Sequence, residues 1–445
     1  MNSNSGSSSR LQSGSSFYFI ISFEPNSFPC VPVVPASRRS PLRQPRPRPA
    51  NQLRFPKMYN SLPIEIWRQI FAAAVRPCVH AQRLHTTGDN DDDDPFNLQT
   101  SHLVHDTIRT KLALCLVSKL FNSLATEFLY ENVHVTDKNK NSLDTGSTNK
   151  FWWTKVLYLR FSFGMRSLVL LVTHLLSKCV NLRLFYLEST TGSPDLSPYQ
   201  VRSICHSVPR SVQAIGWGWD TQLMLEDIPI TVLDNICHIS IGTTTIMPTH
   251  VLTLPRVTYL RAIDSFTPTN LIFPALKTVC LVARSHINEL ESSPLGLFIQ
   301  SEAKQITTLH IDSDRLFSTV EMPFLLIDCC TNLTTLKYDP YIVHVGNPPL
   351  ANTIQHTKLT HVYNPIYHPL RSVFGDLPSE MLAPFRRLWE ENHKWLFNGG
   401  FPALKHITIL RSCVLDPIEE QMLSQIVSAS TDPRLKFECG VSACT

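Results

Sequence analysis

Glycine is scarce in this chain, with 15 residues in 445. Loops that cradle phosphate use glycines in close order, and no glycine-rich phosphate loop occurs. H-E-x-x-H, G-x-S-x-G and a kinase-type set are missing as well. Serine, histidine and aspartate are frequent, yet no arrangement singles out a nucleophile and its base. The chain is therefore read as a binding protein with no catalytic residue, no enzymatic activity of its own and no cofactor.

Twelve cysteines are present, but no C-x-x-C pair. The closest spacing, Cys439 with Cys444, has no histidine at a ligand-like distance, so no metal site is expected. These cysteines, the adjacent Cys329 and Cys330 included, read as reduced thiols filling small core sites in a cytoplasmic or nuclear protein. Asn332-Leu333-Thr334 matches a glycosylation acceptor but falls inside a predicted strand. No apolar run approaches the ~18 residues that span a bilayer. FYFIISF at 17–23 is too short and lacks a cleavage site, so no membrane partner is expected.

A strong basic excess would point to nucleic acid, but the net charge of +4 is unevenly placed. Residues 1–57 hold eight Arg or Lys against the single acid Glu24, a surplus of seven. The rest of the chain has 32 basic and 35 acidic residues. The leader 1–57 reads as a disordered Ser/Pro/Arg-rich segment, with a targeting peptide as the alternative. The folded part offers no basis for nucleic-acid binding.

What the sequence does contain is periodicity. Residues 59–79 carry Ile66, Trp67, Ile70, Phe71, Ala74 and Val75 in helical rhythm. Pro63 suits the first helical position and Glu65 the first turn. Residues 80–107 are polar and include GDNDDDD, whose four consecutive aspartates read as a solvated loop. A second periodic run, 111–133, has Ser118 placed to cap between two shorter helices. From about 150 the spacing L-x-x-L-x-L recurs at Val156/Leu159/Phe161, Leu182/Phe185/Leu187, Val212/Ile215/Trp217, Ile236/Ile239/Ile241 and Val257/Leu260/Ala262. It continues at Leu276/Val279/Leu281, Ile306/Leu309/Ile311, Leu333/Leu336/Tyr338, Leu359/Val362/Asn364 and Leu404/Ile407/Ile409. First positions lie 19 to 30 residues apart, with 45 for the last interval, close to the leucine-rich-repeat range. One such strand cannot bury its own face, so successive strands are expected to stack in parallel, with helical returns at 166–178, 198–207, 293–302 and 321–330. FPALK at 273–277 and again at 401–405 is read as an extended lead-in to a strand. An inserted helix is expected around 379–397. A regular repeat carries Asn or Cys three residues past its last apolar position; here none of those positions is Asn, so the array is expected to be irregular.

SLPIEIWRQIF followed by LALCLVSKLFNSLATEFLYENVHV resembles an F-box of the fungal families in which that unit precedes irregular leucine-rich repeats. The matching residues are Leu62-Pro63, Glu65-Ile66, Ile70-Phe71, Leu116-Val117-Ser118-Lys119, Phe121, Leu124-Ala125 and Leu129-Tyr130. The acidic link between the two halves is longer than usual in that family. The resemblance implies an α/β fold in which an F-box-like unit of three helices, 58–135 with its acidic insertion at 80–107, precedes a leucine-rich-repeat-type solenoid over 150–440. It implies the substrate receptor of an SCF-type cullin–RING ubiquitin ligase, with a Skp-type adaptor and a protein substrate as partners. On that reading Leu62, Pro63, Ile66, Ile70, Leu116, Val117, Lys119 and Phe121 contact the adaptor. The residue before the last apolar position of each strand would face the concave side, which makes Tyr186, Arg261, His310, Lys337 and Tyr363 the candidates for substrate contact. The alternative is a stand-alone repeat scaffold whose first helices only cap the array; such a cap would leave no apolar patch uncovered.

Overall fold

The computed structural model describes residues 62–75, 110–136, 148–161, 168–189, 197–218, 225–242, 248–283, 291–313, 320–340, 343–344, 356–366, 401–411 and 435–439, with scattered helical positions at 387–396 and at 421 and 424. The leader 1–57, the acidic insertion 80–107 and most of the inserted helix near 379–397 lie outside the described residues.

Helix α1 is Ile64–Val75. The Pro63 carbonyl accepts from the amides of Ile66 and Trp67, so Pro63 stands at the cap, one position ahead of the first helical residue where the sequence placed it. Residues 110–117 are helical up to Ser118, and α2 follows at Lys119–Leu129. Ser118 Oγ accepts from Phe121 N at 3.1 Å, so Ser118 separates two helices as its sequence position required. Trp67 and Phe71, one turn apart on α1, meet Leu124 and Ala125 of α2 in a small core. Phe121 closes it edge-on, 4.7 Å from Trp67 and 4.9 Å from Phe71 between ring centroids. Arg68 on α1 pairs with Glu127 on α2 at 2.9 Å.

The remainder is α/β, built on one 12-stranded parallel sheet. Its strands are β1 (Asn132–Thr136), β2 (Val156–Phe161), β3 (Leu184–Ser189), β4 (Ala214–Trp217), β5 (His238–Ile241) and β6 (Tyr259–Ile263). They continue with β7 (Thr278–Ala283), β8 (Thr308–Ser313), β9 (Thr335–Tyr338), β10 (His361–Ile366), β11 (His406–Arg411) and β12 (Leu435–Cys439). Sheet order equals chain order, so each strand bonds to its predecessor and its successor. Helices α3 (Leu168–Lys178), α4 (Pro198–Ser207), α5 (Ile230–Leu233), α6 (Pro294–Glu302) and α7 (Phe324–Cys329) fall between strands, four of them within the intervals expected to be helical. Two short parallel pairs, 252–253 with 271–272 and 320–321 with 343–344, lie apart from the main sheet.

The register explains the repeating triplets. Phe185, Ile215, Ile239, Leu260, Val279, Leu309, Leu336, Val362 and Ile407 are successive partners across the sheet, and all are buried. The first triplet needs correction. Leu157 pairs with Phe185 and Leu159 with Leu187, so the in-phase set is Thr154/Leu157/Leu159 rather than Val156/Leu159/Phe161. Every residue of VLYLRF except Arg160 is apolar or aromatic, so alternation alone cannot fix which face is which. Two strands lie beyond the predicted triplets: β12, and β1, which crosses the boundary placed at 135.

A second repeated device precedes the strands. The amide of the first apolar residue bonds the carbonyl three residues back, in Cys179–Leu182, Pro209–Val212, Leu233–Ile236, Leu254–Val257, Phe273–Leu276, Ala303–Ile306, Cys330–Leu333 and Phe401–Leu404, at 2.8–3.4 Å. Phe-Pro-Ala-Leu is therefore a turn with proline at its second position, not an extended lead-in. Asn332 lies in one of these turns, so the glycosylation-type triplet precedes β9 rather than sitting inside a strand. The third residue of the turn reaches back to the preceding repeat. Asn181 Nδ2 donates to Trp152 O, Ser211 Oγ to Val180 O, Asn235 Nδ2 to Arg210 O, Gln305 Nε2 to Phe273 O and Asn332 Nδ2 to Lys304 O. The asparagine missing from the ends of the strands is thus replaced by polar residues at their beginnings, which satisfy turn carbonyls that would otherwise need water.

Candidate docking surface and sheet face

The two helices of the small unit have inward and outward faces of opposite use. Trp67, Phe71, Leu124 and Ala125 are spent on the internal core. Leu62, Ile66 and Ile70 on the α1 side stay exposed, and Leu116 and Val117 are exposed to 75% and 63%. Pro63 and Lys119 are exposed too. Seven of the eight expected docking residues therefore face solvent. The exception is Phe121, which turns inward against Trp67 and Phe71. Ile64 and Leu120 are also exposed and were not singled out from the sequence. Leu116 and Leu120 lie on either side of the break at Ser118, so a single helical repeat does not relate them.

Leaving this many large aliphatic side chains in water costs about 25 cal/mol for each Å² of apolar surface that burial would have removed. Scattered single residues need no account, whereas several on one small unit make a candidate interaction surface. On the helical segment 110–117, Lys111 is buried, and burial lowers its pKa despite the attraction of Glu131. Glu131 itself pairs with Lys155 at 2.7 Å.

The five expected substrate contacts share one register column. Tyr186, Gly216, Ser240, Arg261, Cys280, His310, Lys337, Tyr363 and Thr408 are successive partners from β3 to β11. They differ in access. Tyr186 and His310 are buried, which makes them poor contact residues. Arg261, Lys337 and Tyr363 are half-buried. β7 is buried along its whole length, so the middle of the sheet is closed on both faces.

Charges along this face pair with one another. On β2 and β3, Tyr158 and Tyr186 stack at 5.0 Å, the Tyr158 hydroxyl donates to Glu188, and Arg160 lies 3.6 Å from Glu188. Burial, then the Glu188 charge, push the Tyr158 phenol well up and keep it a donor. A Cβ at Gly218 would lie 2.7 Å from the Glu188 backbone, so this close approach requires glycine. Further along, Arg261 Nη2 meets Asp312 Oδ2 at 3.1 Å across the small Cys280 of the intervening strand. Toward β10, Lys337 Nζ stands 5.8 Å from the Tyr363 ring centre, and His361 stacks on the same ring at 6.1 Å.

Among the described residues no group of three or more His, Cys, Asp or Glu could hold a metal ion. No described helix is long and apolar enough to cross a membrane. The described cysteines Cys115, Cys179, Cys205, Cys237, Cys280, Cys329 and Cys330 are all free thiols. No family model matches the chain, and the search of curated proteins returned no match.

Proposed function

We propose that this protein is the substrate-recognition subunit of an SCF-type cullin–RING ubiquitin ligase. Its helical unit, an F-box on this reading, docks on a Skp-type adaptor through Leu62, Pro63, Ile66, Ile70, Leu116, Val117 and Lys119. The parallel array behind it, a leucine-rich-repeat-type solenoid on this reading, holds a protein substrate. No residue of the chain performs chemistry; the rate effect is proximity, since tethering raises the local concentration of substrate beside the ubiquitin-loaded enzyme.

The observation that carries this reading is the division of labour on the two helices. One face closes the Trp67–Phe71–Leu124–Ala125 core while Leu62, Ile66, Ile70, Leu116 and Val117 remain exposed. A helical pair that served only to cap a repeat array would bury that second face against its neighbours, so the uncovered patch favours docking over capping.

The test is co-purification and titration calorimetry with the adaptor. Leu116→Ala/Val117→Ala is expected to weaken binding at least a hundredfold while leaving the thermal midpoint in place, because both side chains are already in water. Failure of the wild-type protein to bind the adaptor would sink the proposal.

A further inference from the structure

We infer that the adaptor-docking surface continues past the helical unit onto the short helical segment Thr148–Trp153, with Trp152 and Trp153 as its aromatic anchors. This rests on the docking reading above.

Trp152 and Trp153 are 54% and 38% exposed. Tryptophan carries the largest apolar surface of any side chain and is enriched where binding energy concentrates. The backbone beneath the pair is held from several sides. Phe151 is buried edge-on against the Tyr130 ring, 6.0 Å away, and Lys150 Nζ lies 5.4 Å from that ring's centre. Thr154 N donates to Phe151 O at 3.1 Å, and Asn181 Nδ2 donates to Trp152 O at 2.9 Å. Two indoles projecting from a fixed backbone lose little conformational freedom when a partner covers them.

Continuity with Leu116 and Val117 names the occupant. The 148–153 segment packs against α2 on one side and α3 on the other. Lys150 is near enough to Cys115 for its charge to oppose the upward push of burial on that thiol, and Cys115 directly precedes Leu116. Asn122 of α2 also donates to Cys115 O at 3.2 Å, so helix 110–117, α2 and the tryptophan segment meet in one place. Exposed Val180 adjoins Asn181, which holds Trp152, and extends the apolar rim onto the first repeat. A partner seated on Leu116 and Val117 sits next to Cys115, the residue whose thiol feels the charge of Lys150 in the tryptophan segment.

The experiment uses the full chain and the purified Skp-type adaptor. Trp152→Ala/Trp153→Ala is expected to weaken adaptor binding at least tenfold by calorimetry, with circular dichroism and thermal midpoint unchanged. Tyr199→Ala, at an exposed position on α4, is expected to leave the affinity as it is. Oxidative footprinting of the wild-type protein by mass spectrometry reads the same contact without any substitution, and so decides the matter if the double variant does not fold. Adaptor is expected to protect Trp152 and Trp153 and to leave Tyr199 labelled. Double-variant affinity within twofold of wild type, or indoles that remain labelled in the complex, would overturn the extension and leave the docking reading standing. Protection that grows with protein concentration in the absence of adaptor would assign the indoles to a second copy and overturn it too. A wild-type chain that does not bind the adaptor removes both.

Discussion

His356 shows how one side chain can stand in for a backbone group. Eight strand-leading turns use a carbonyl three residues before the strand's first apolar position; before β10 the amide of Leu359 instead bonds His356 Nδ1 at 3.2 Å. Nε2 lies 2.8 Å from Cys330 O, so Nδ1 accepts from the backbone while Nε2 donates to it. His356→Ala removes both bonds and leaves the Leu359 amide buried without an acceptor, an expected loss of about 1–3 kcal/mol. Urea titration measures the loss, and amide exchange at Leu359 locates it. The thiols give a second residue-scale expectation. Burial pushes Cys179 up to about 11 and Cys330 up to about 12, which keeps both protonated near neutrality. Cys329 is the exposed member of the described set. Alkylation of the native protein at pH 8, mapped by mass spectrometry, is expected to modify Cys329 while Cys179, Cys205, Cys280 and Cys330 react only after unfolding. Lys111 is the third. Its folded pKa is depressed, so between that value and 10.5 the unfolded chain holds more protons and stability rises with pH across the window. Lys111→Met is expected to raise the thermal midpoint at neutral pH, with the gain shrinking as pH climbs through the window. Glu131 keeps Lys155 as its partner in the variant.

At the scale of elements, legibility followed the contrast between a residue and its neighbours. Leu182, Val212, Ile236, Val257, Leu276, Ile306, Leu333, Leu359 and Leu404 were readable because most stand among polar residues, with Leu276 and Leu404 marked by the repeated Phe-Pro-Ala before them, and all prove buried. β2 was misphased because both of its faces carry large side chains, and β1 was hidden because Tyr130 ends a helix and opens a strand within two residues. The exposed apolar face was readable for the same reason: apolar residues at Ile66, Ile70, Leu116 and Val117 exceed what a two-helix core can absorb, and all four are exposed. Phe121 was not separable from them, because an inward and an outward aromatic look alike in sequence. Helix starts depend on partners that sequence spacing does not name. α7 has Pro323 at its cap and no side-chain cap of its own, yet Glu291, 34 residues earlier, accepts from Leu325 N at 2.8 Å. α2 is capped locally by Ser118. Ser118→Ala is expected to cost about 1 kcal/mol and to speed amide exchange in the first turn of α2, at Phe121 above all.

For the molecule as a whole, the governing fact is that sheet order repeats chain order. Each strand of the sheet hydrogen-bonds through its backbone only to its neighbours in sequence, the side chains of Asn181, Ser211, Asn235, Gln305 and Asn332 reach back a single repeat, and the Arg261–Asp312 pair spans two. Nothing in that wiring couples β2 directly to β9. Stability is then a sum of local terms and nearest-neighbour interfaces, and damage should fade with distance along the array. Leu309 on β8 is fully buried, with Val279 and Leu336 as its register partners. Leu309→Ala leaves a cavity expected to cost about 2–5 kcal/mol at that site. A molecule folding as one cooperative unit would show the same loss of amide protection in every strand. This one is expected to lose protection most in β7, β8 and β9, less in β6 and β10, and little in β2 and β3, as hydrogen exchange read by mass spectrometry resolves directly. Uniform loss from β2 to β11 would show that the covered central strands, β7 above all, join the array into a single unit. The graded outcome leaves the helical unit's exposed apolar face intact while the distant repeats loosen, so under the proposed function adaptor binding by Leu309→Ala should match wild type.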